Sequence, residues 1–184
     1  MANTITLHDK QFEPYITELE ILQKVNEIAT AINKDYEGKK PLFIPILNGA
    51  FMFASDLFKC INIPSEISFI KLASYKGMKS SGNIITAIGL DYDLYNRDVV
   101  IIEDIVDTGK TLNAFLPNLE HQHPASLKIA ALLHKPDATV FPLSIAYTGF
   151  VIPNKYIVGY GTDFAERYRN LPYIGVLKKE LYQS

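Results

Sequence analysis

The sequence predicts an α/β domain built on a doubly wound, mainly parallel sheet. Two apolar runs, residues 42–47 and 99–102, each lead through a glycine-containing loop into a segment with helical spacing. Repeated strand, loop and helix units of this kind form parallel sheets whose ligands bind at the carboxyl ends of the strands. At 184 residues and 48% apolar content, the chain can bury one sizeable core. We therefore expect a single domain over residues 1–184.

The first helix is predicted from its start signal. Residues 2–14 have no clear period, so we expect an irregular or short-strand arm there. Thr17 and Glu20 then form a capping-box pattern, and the helix should end near Gly38. Its apolar positions are expected to fall on one face: Leu22, Val25, Ala29 and Ile32.

Further elements follow from the spacing of apolar residues. Residues 50–59 are predicted to be helical, and residues 63–73, 83–90 and 127–134 to be strands. The segment 74–82 between two of these strands contains two glycines, three serines and two lysines. Such a composition is typical of a mobile cationic surface loop, although a plain hairpin tip would look similar.

Composition excludes several classes of function. A net charge of -2 and a pI near 6.1 give no electrostatic reason to expect nucleic acid as the main partner. The longest apolar stretch, residues 42–57, is interrupted by Pro45, Asn48 and Gly49, so we expect no membrane span. The single cysteine, Cys60, suits a reducing compartment, and residues 1–7 do not resemble a signal peptide. We expect a cytoplasmic protein.

The run at 99–102 leads into the most informative stretch of the chain. Three acidic residues follow it, Glu103, Asp104 and Asp107, and a helix is expected to begin near Leu112, with the Asp107 carboxylate as a candidate cap. The loop between strand and helix contains Asp107, Thr108, Gly109, Lys110 and Thr111. A strand, a tight loop and a helix N-terminus bind anions well, because free N–H groups and the helix dipole face the ligand.

The acidic groups narrow the choice of ligand. Carboxylates repel a bare phosphate, but they suit a ligand that carries hydroxyls and is bound with a divalent cation. A phosphorylated ribose meets that description. A nucleotide-binding P-loop fails on spacing, because Asp104 stands where its first glycine should be. An ordinary buried strand followed by a capped helix is the simplest structural alternative.

Residues 99–111 closely resemble the binding motif of the type I phosphoribosyltransferases. That motif is an apolar strand, Glu-Asp, two mostly aliphatic residues and then Asp-Thr-Gly-Lys-Thr. The resemblance implies that residues 107–111 hold a 5-phosphate, and that Glu103 and Asp104 bind ribose hydroxyls and Mg²⁺. It also implies a catalytic role for Asp107 and a small hood formed by the terminal segments.

Three weaker motifs point to the purine-salvage, hypoxanthine-guanine branch of the family. Leu47, Asn48 and Gly49 match a pyrophosphate-binding loop, which in that branch often has a basic residue at the place of Asn48. Ser74 and Tyr75, followed by Ser-Ser-Gly, match its flexible lid. Arg169 lies where a guanidinium meets pyrophosphate.

The purine pocket is implied by the same resemblance. Lys135 matches the lysine that donates to the exocyclic oxygen of an oxopurine, and Tyr156 the ring that stacks on the base. Ile157 matches the residue whose carbonyl meets the purine edge. Asp163 belongs to this pocket and to the outer metal shell, so the implied metal set is Glu103, Asp104 and Asp163.

The resemblance implies a Mg²⁺-dependent enzyme acting on phosphoribosyl diphosphate and hypoxanthine or guanine. Its partners are then small molecules, with no nucleic acid and no membrane, and the chain is expected to be a homo-oligomer, a dimer or a tetramer. A nucleotide-sensing regulator that binds RNA stays open as an alternative, since the same fold can serve that function.

Overall fold

The computed structural model describes residues 5–7, 10–76, 83–89 and 92–178. The described helices are α1 (Glu18–Asp35), α2 (Phe51–Lys59) and α3 (Lys110–Glu120), with a 3₁₀ turn at Pro136–Ala138. The described strands are β1 (Ile5–Leu7), β2 (Lys10–Ile16), β3 (Leu42–Leu47), β4 (Glu66–Ile67), β5 (Ile70–Lys76), β6 (Asn83–Ile88), β7 (Asp98–Val106), β8 (Ser126–His134), β9 (Tyr147–Val151), β10 (Ile157–Val158) and β11 (Ile174–Leu177).

The main sheet has seven strands in the order β6-β5-β3-β7-β8-β9, with β4 also paired to β3. Strands β3, β5, β7, β8 and β9 run parallel, and β6 is antiparallel to β5. This architecture confirms the predicted doubly wound sheet. It places the carboxyl ends of β3, β7 and β8 at one edge, where ligands bind in folds of this kind.

Both faces of the two central strands are buried. Phe43, Val100 and Ile102 pack in one hydrophobic cluster with α1 and α2, whereas Ile44 and Ile101 pack in the other with α3. Because successive side chains of a strand point to opposite faces, a strand covered on both sides is apolar throughout. That requirement explains the unbroken apolar runs in the sequence.

The terminal segments form most of a second sheet. Its four strands follow the order β1-β2-β11-β10 and are antiparallel. Phe12 and Val158 are buried inside it. The hood predicted for the terminal segments is therefore confirmed, and the described residues of the arm predicted as irregular or short-strand lie in β1 and β2.

Helix α1 begins as predicted but buries a different stripe. The capping box of Thr17 and Glu20 is present, and Gly38 has a left-handed φ of +73° just beyond the helix. Leu22 is 41% exposed, so its predicted burial is wrong. The buried positions are Ile21, Val25, Ile28, Ala29 and Ile32. This stripe begins one residue earlier than the sequence indicated.

Two strand predictions also need correction. The strand predicted over 63–73 is interrupted, because β4 and β5 pair with opposite ends of β3. The strand predicted to stop before the acidic pair continues through Glu103 and Asp104 to Val106. In the part of the chain that the structure describes, no helix is long and apolar enough to cross a membrane.

Candidate active site

Two loops and the end of β7 meet at the carboxyl edge of the sheet with almost no space between them. A Cβ on Gly49 would collide with the Asp104 carboxylate, and a Cβ on Gly161 would collide with the carbonyl oxygen of Gly49. Gly161 also has a φ of +97°, which disfavours any residue with a side chain. The predicted pyrophosphate loop, the acidic pair and the 159–163 loop therefore form one site. The Leu47–Asn48 peptide in this site is cis.

The predicted phosphoribosyl loop surrounds a pocket at the end of β7. Residue 103 and residues 105–112 line it. Helix α3 is capped by Gly109 at a φ of 74°, with no side-chain cap, so the expectation that Asp107 caps the helix is wrong. The Asp107 carboxylate is thus left available to other partners. Thr108 Oγ1 accepts from the Lys110 N–H at 3.3 Å and holds the loop turned toward the helix.

Glu103 is buried and Asp104 is half-buried, and this burial shifts the pKa of both acids. Glu103 is only 9% exposed. Burial, and secondarily the charge of Asp104, raises the pKa of Glu103 well above its usual range. Burial likewise raises the pKa of Asp104 to about 6, although backbone N–H groups and the charge of Arg169 oppose the shift. These two acids are held where water stabilises their charge poorly, so a bound cation would be favoured there.

The donor set at this edge fits Mg²⁺ in one particular way. Among the described residues, no group of three or more histidine, cysteine or acidic side chains is placed to hold a metal. Mg²⁺ is usually bound by one or two carboxylates together with water and substrate phosphates. Glu103 and Asp104 meet that requirement. The structure pairs Asp163 with Arg169 instead, so its part in the metal site stays a prediction.

Lys135, predicted to read the purine, lies beside the predicted phosphoribosyl loop. The residue is 5% exposed, and its Nζ donates to Asp107 Oδ2 at 3.4 Å. Its backbone N–H donates to the Val106 carbonyl at 2.9 Å, which ties the end of β8 to the end of β7. A buried ammonium needs a charged or hydrogen-bonding partner. In this site the partners are Asp107 and whatever ligand the pocket holds.

The Tyr156 ring is held by the hood. Its centroid lies 6.4 Å from that of Phe12 and 6.0 Å from that of Phe164, and the ring of Phe164 meets it edge-on at 85°. Tyr156 is still 44% exposed. Edge-to-face packing of this kind fixes the orientation of a ring. Ile157, the next residue, is 6% exposed and begins β10.

Arg169 is bound by the loop that precedes it. Its guanidinium donates to the Gly161 carbonyl at 2.7 Å and pairs with Asp163 at 2.9 Å and Glu166 at 3.2 Å. Asp163 in turn accepts from the Glu166 backbone N–H at 2.8 Å. The predicted pyrophosphate residue and the predicted outer-shell carboxylate are therefore direct neighbours.

The structure brings in residues that the sequence did not indicate. Phe12 and Phe164 hold Tyr156, and the Tyr160 hydroxyl donates to Asp56 at 2.7 Å, anchoring the 159–163 loop to α2. None of them belongs to a local motif, because each acts through contacts distant in sequence. Ser74 and Tyr75 lie in β5, whereas residues 77–82 of the predicted lid lie outside the described residues.

Comparison with known proteins shows that the chain is similar to phosphoribosyltransferases. The family model of the phosphoribosyl transferase domain matches residues 15–165. The hypoxanthine-guanine phosphoribosyltransferase of Lactococcus lactis is 43% identical over 178 residues, covering 96% of this chain and 97% of the relative. The bifunctional protein TilS/HprT of Listeria innocua is 40% identical over 97% of this chain, which spans 28% of that longer protein.

A solved structure agrees at the level of the fold. The hypoxanthine phosphoribosyltransferase of Staphylococcus aureus superposes with a TM-score of 0.85 at 40% sequence identity, covering 94% of each chain. Fold and sequence similarity agree over most of the chain. The protein belongs to the phosphoribosyltransferase family.

Proposed function

We propose that this protein transfers ribose 5-phosphate from phosphoribosyl diphosphate to a 6-oxopurine, forming IMP or GMP and releasing pyrophosphate. The observation that carries the proposal is the buried Lys135 ammonium, 3.4 Å from the Asp107 carboxylate. A donor suited to a base thereby lies beside the loop suited to ribose phosphate. Several relatives are named hypoxanthine-guanine phosphoribosyltransferases, which favours this enzyme over a nucleotide-sensing regulator.

The phosphoribosyl group would bind in the pocket at the end of β7. Residues 107–111 would bind the 5-phosphate at the N-terminus of α3, because the first turn of a helix has backbone N–H groups without intrahelical partners. Glu103 and Asp104 would accept from ribose hydroxyls and would hold Mg²⁺, which would supply positive charge beside the diphosphate. Backbone groups of residues 47–49 and the Arg169 guanidinium bind that diphosphate, without the cation that many relatives place at Asn48.

Asp107 is the proposed catalytic residue. Its side chain is 44% exposed, so it can meet a substrate while it contacts Lys135. We propose that it accepts or holds the proton on the imidazole-ring nitrogen of the incoming purine. That proton must leave or be stabilised as the glycosidic bond forms. Tyr156 stacks on the base, the Ile157 carbonyl meets its edge, and Ser74 and Tyr75 belong to the lid that excludes water from the ribosyl centre.

Lys135 sets the substrate class. An ammonium has only donors, so it pairs with the exocyclic oxygen of hypoxanthine or guanine and opposes the exocyclic amine of adenine. Sites that hydrogen-bond a polar group reject analogues lacking it by roughly 10⁴- to 10⁵-fold. We expect oxopurines to be used and adenine to be refused.

The test is pyrophosphate release with hypoxanthine, guanine, xanthine and adenine in turn. Wild type and Lys135→Ala should be compared, because the variant should lose most of its preference against adenine. If adenine comes within about tenfold of hypoxanthine on the wild type, a level that apolar fit alone explains, the assignment of Lys135 is wrong.

We also propose that the protein acts as a cytoplasmic homo-oligomer, a dimer or a tetramer. Its one cysteine, Cys60, is free, which suits a reducing compartment. Phe51 and Phe69, 42% and 44% exposed, line one groove beside α2 and give a self-association surface next to the site. Phe51→Glu should shift the mass measured by light scattering toward the monomer, and an unchanged mass would exclude this surface.

A further inference from the structure

The connection between β8 and β9 places one hydroxyl between the two halves of the proposed site. Thr139 Oγ1 lies 3.1 Å from the carbonyl oxygen of Asp107 and 3.0 Å from that of Lys135. Both carbonyls can only accept, so the single hydroxyl proton of Thr139 is shared between them. The hydroxyl therefore links the backbone of the phosphoribosyl loop to the backbone of the base-reading lysine.

A histidine completes this arrangement. His134 Nε2 lies 3.4 Å from Thr139 Oγ1. Because the hydroxyl proton is directed at the two carbonyls, the oxygen accepts from the ring when Nε2 carries a proton. The end of β8 thus contributes two consecutive residues, His134 and Lys135, to one small network around Thr139.

The residues that follow Thr139 fasten the same loop. The backbone N–H groups of Val140 and Phe141 both donate to the Thr108 carbonyl at 3.0 Å. Gly109 approaches so closely that a Cβ there would collide with the Phe141 carbonyl oxygen. Residues 139–141 therefore hold the phosphoribosyl loop in place, and the Thr139 hydroxyl also contacts the backbone of Lys135.

We propose that Thr139 is a positioning residue, whose hydroxyl sets the spacing between the Lys135 ammonium and the Asp107 carboxylate. The contact between those two side chains is 3.4 Å, longer than a well-formed hydrogen bond, so this contact alone does not fix the distance between the two groups. Their spacing has to be fixed from the backbone, and Thr139 is bonded to the backbone of both. This inference rests on the proposed function.

The expected consequence is a change in chemistry and selectivity rather than in phosphate binding. Supporting hydrogen bonds around functional groups are typically worth about 10- to 100-fold in activity, and a 1 Å displacement can cost about 10²-fold. Removing the hydroxyl should lower kcat with hypoxanthine by about 10-fold or more. The KM for phosphoribosyl diphosphate should change less than about threefold, because the bonds from Val140 and Phe141 to Thr108 remain.

The experiment compares Thr139→Val, which keeps the shape, with Thr139→Ser, which keeps the hydroxyl. Thr139 is half-buried and extended, with φ of -70° and ψ of 118°, a conformation that valine accepts readily. Thr30→Val is the matched control, because Thr30 Oγ1 also donates to a carbonyl four residues earlier, that of Asn26 at 2.9 Å, on the exposed part of α1. Steady-state rates with hypoxanthine and adenine should be measured on each, together with the thermal midpoint.

We expect Thr139→Val to lower kcat and the ratio of kcat/KM for hypoxanthine over adenine, while Thr139→Ser and Thr30→Val stay near wild type. A Thr139→Val protein that melts earlier but keeps the wild-type kcat and base ratio would overturn the positioning role, as would failure of Thr139→Ser to retain them. Wild-type protein that transfers to no oxopurine would overturn the proposed function, and this inference with it.

Discussion

Acidic side chains at the two ends of the main sheet lie in opposite environments. At the amino ends of the strands, acidic side chains are paired: Asp35 meets Lys128 at 2.9 Å and the Tyr147 hydroxyl at 2.7 Å. Glu66 there meets Lys40 and Arg97 at 2.6 and 2.7 Å. At the carboxyl ends, Glu103 is buried and Asp104 is half-buried, and neither has an ion pair with a described basic residue.

The pKa values move in opposite directions at the two ends. The hydrogen bond from Lys128 lowers the pKa of Asp35, and that from Lys40 lowers the pKa of Glu66. Burial raises the pKa of both Glu103 and Asp104. Charges at the amino end therefore favour the folded state, whereas charges at the carboxyl end oppose it. We expect a bound ligand to compensate the charges at the carboxyl end.

The largest effect should come from removing the divalent cation. Without it, the acidic pair would repel phosphoribosyl diphosphate, so turnover should fall to background. Pyrophosphate release would be measured in excess chelator and again after Mg²⁺ is restored. Full activity in chelator would remove the argument that the carboxyl end keeps its acids for a metal-bound substrate.

Asp107→Asn should lower kcat by about 10²- to 10⁴-fold, the usual contribution of general acid-base catalysis. The affinity for phosphoribosyl diphosphate should change less, because the loop is held through the carbonyls of Asp107 and Thr108. Steady-state kinetics with varied substrate separates the two effects. An unchanged kcat would leave Asp107 with a purely structural role.

The double variant Glu103→Gln and Asp104→Asn should be more stable than the wild type, although inactive. It removes two acids whose pKa values are raised in the folded state, so their ionisation opposes folding at neutral pH, and in a domain of this size about 1 kcal/mol shifts Tm by roughly 2–4 °C. Thermal unfolding at neutral pH in chelator measures this gain. A lower midpoint for the variant would mean that the two charges stabilise the fold, contrary to the comparison.

Asp35→Asn should give the smallest effect, a loss of at most about 1 kcal/mol, because the pair with Lys128 is partly exposed and screened. Its folded-state pKa is lowered, so its contribution is present above the unfolded pKa and disappears as pH falls through the folded value. The difference in unfolding free energy between wild type and variant should therefore vanish in acid. The kcat should stay unchanged, and a changed kcat would mean that the two ends are coupled.

Much of this protein could be predicted because its signals are local. The capping box at Thr17, the buried run at 99–102 and the phosphoribosyl loop at 107–111 each depend on neighbours within a few residues. The acidic pair, Glu103 and Asp104, could also be recognised because it stands a few residues before that loop in one short segment. The order of the strands could be expected in outline, since parallel sheets follow from alternating strands and helices.

The sequence by itself determined the fold class, the predicted phosphoribosyl loop at 107–111 and the family. Only the tertiary structure decided that Asp104 lies against Gly49, that Phe12 and Phe164 hold Tyr156, and that the Thr139 hydroxyl joins Asp107 to Lys135. The reason is physical. Backbone conformation and periodicity are set by adjacent residues, but close packing and shared protons depend on which distant segments the sheet brings together.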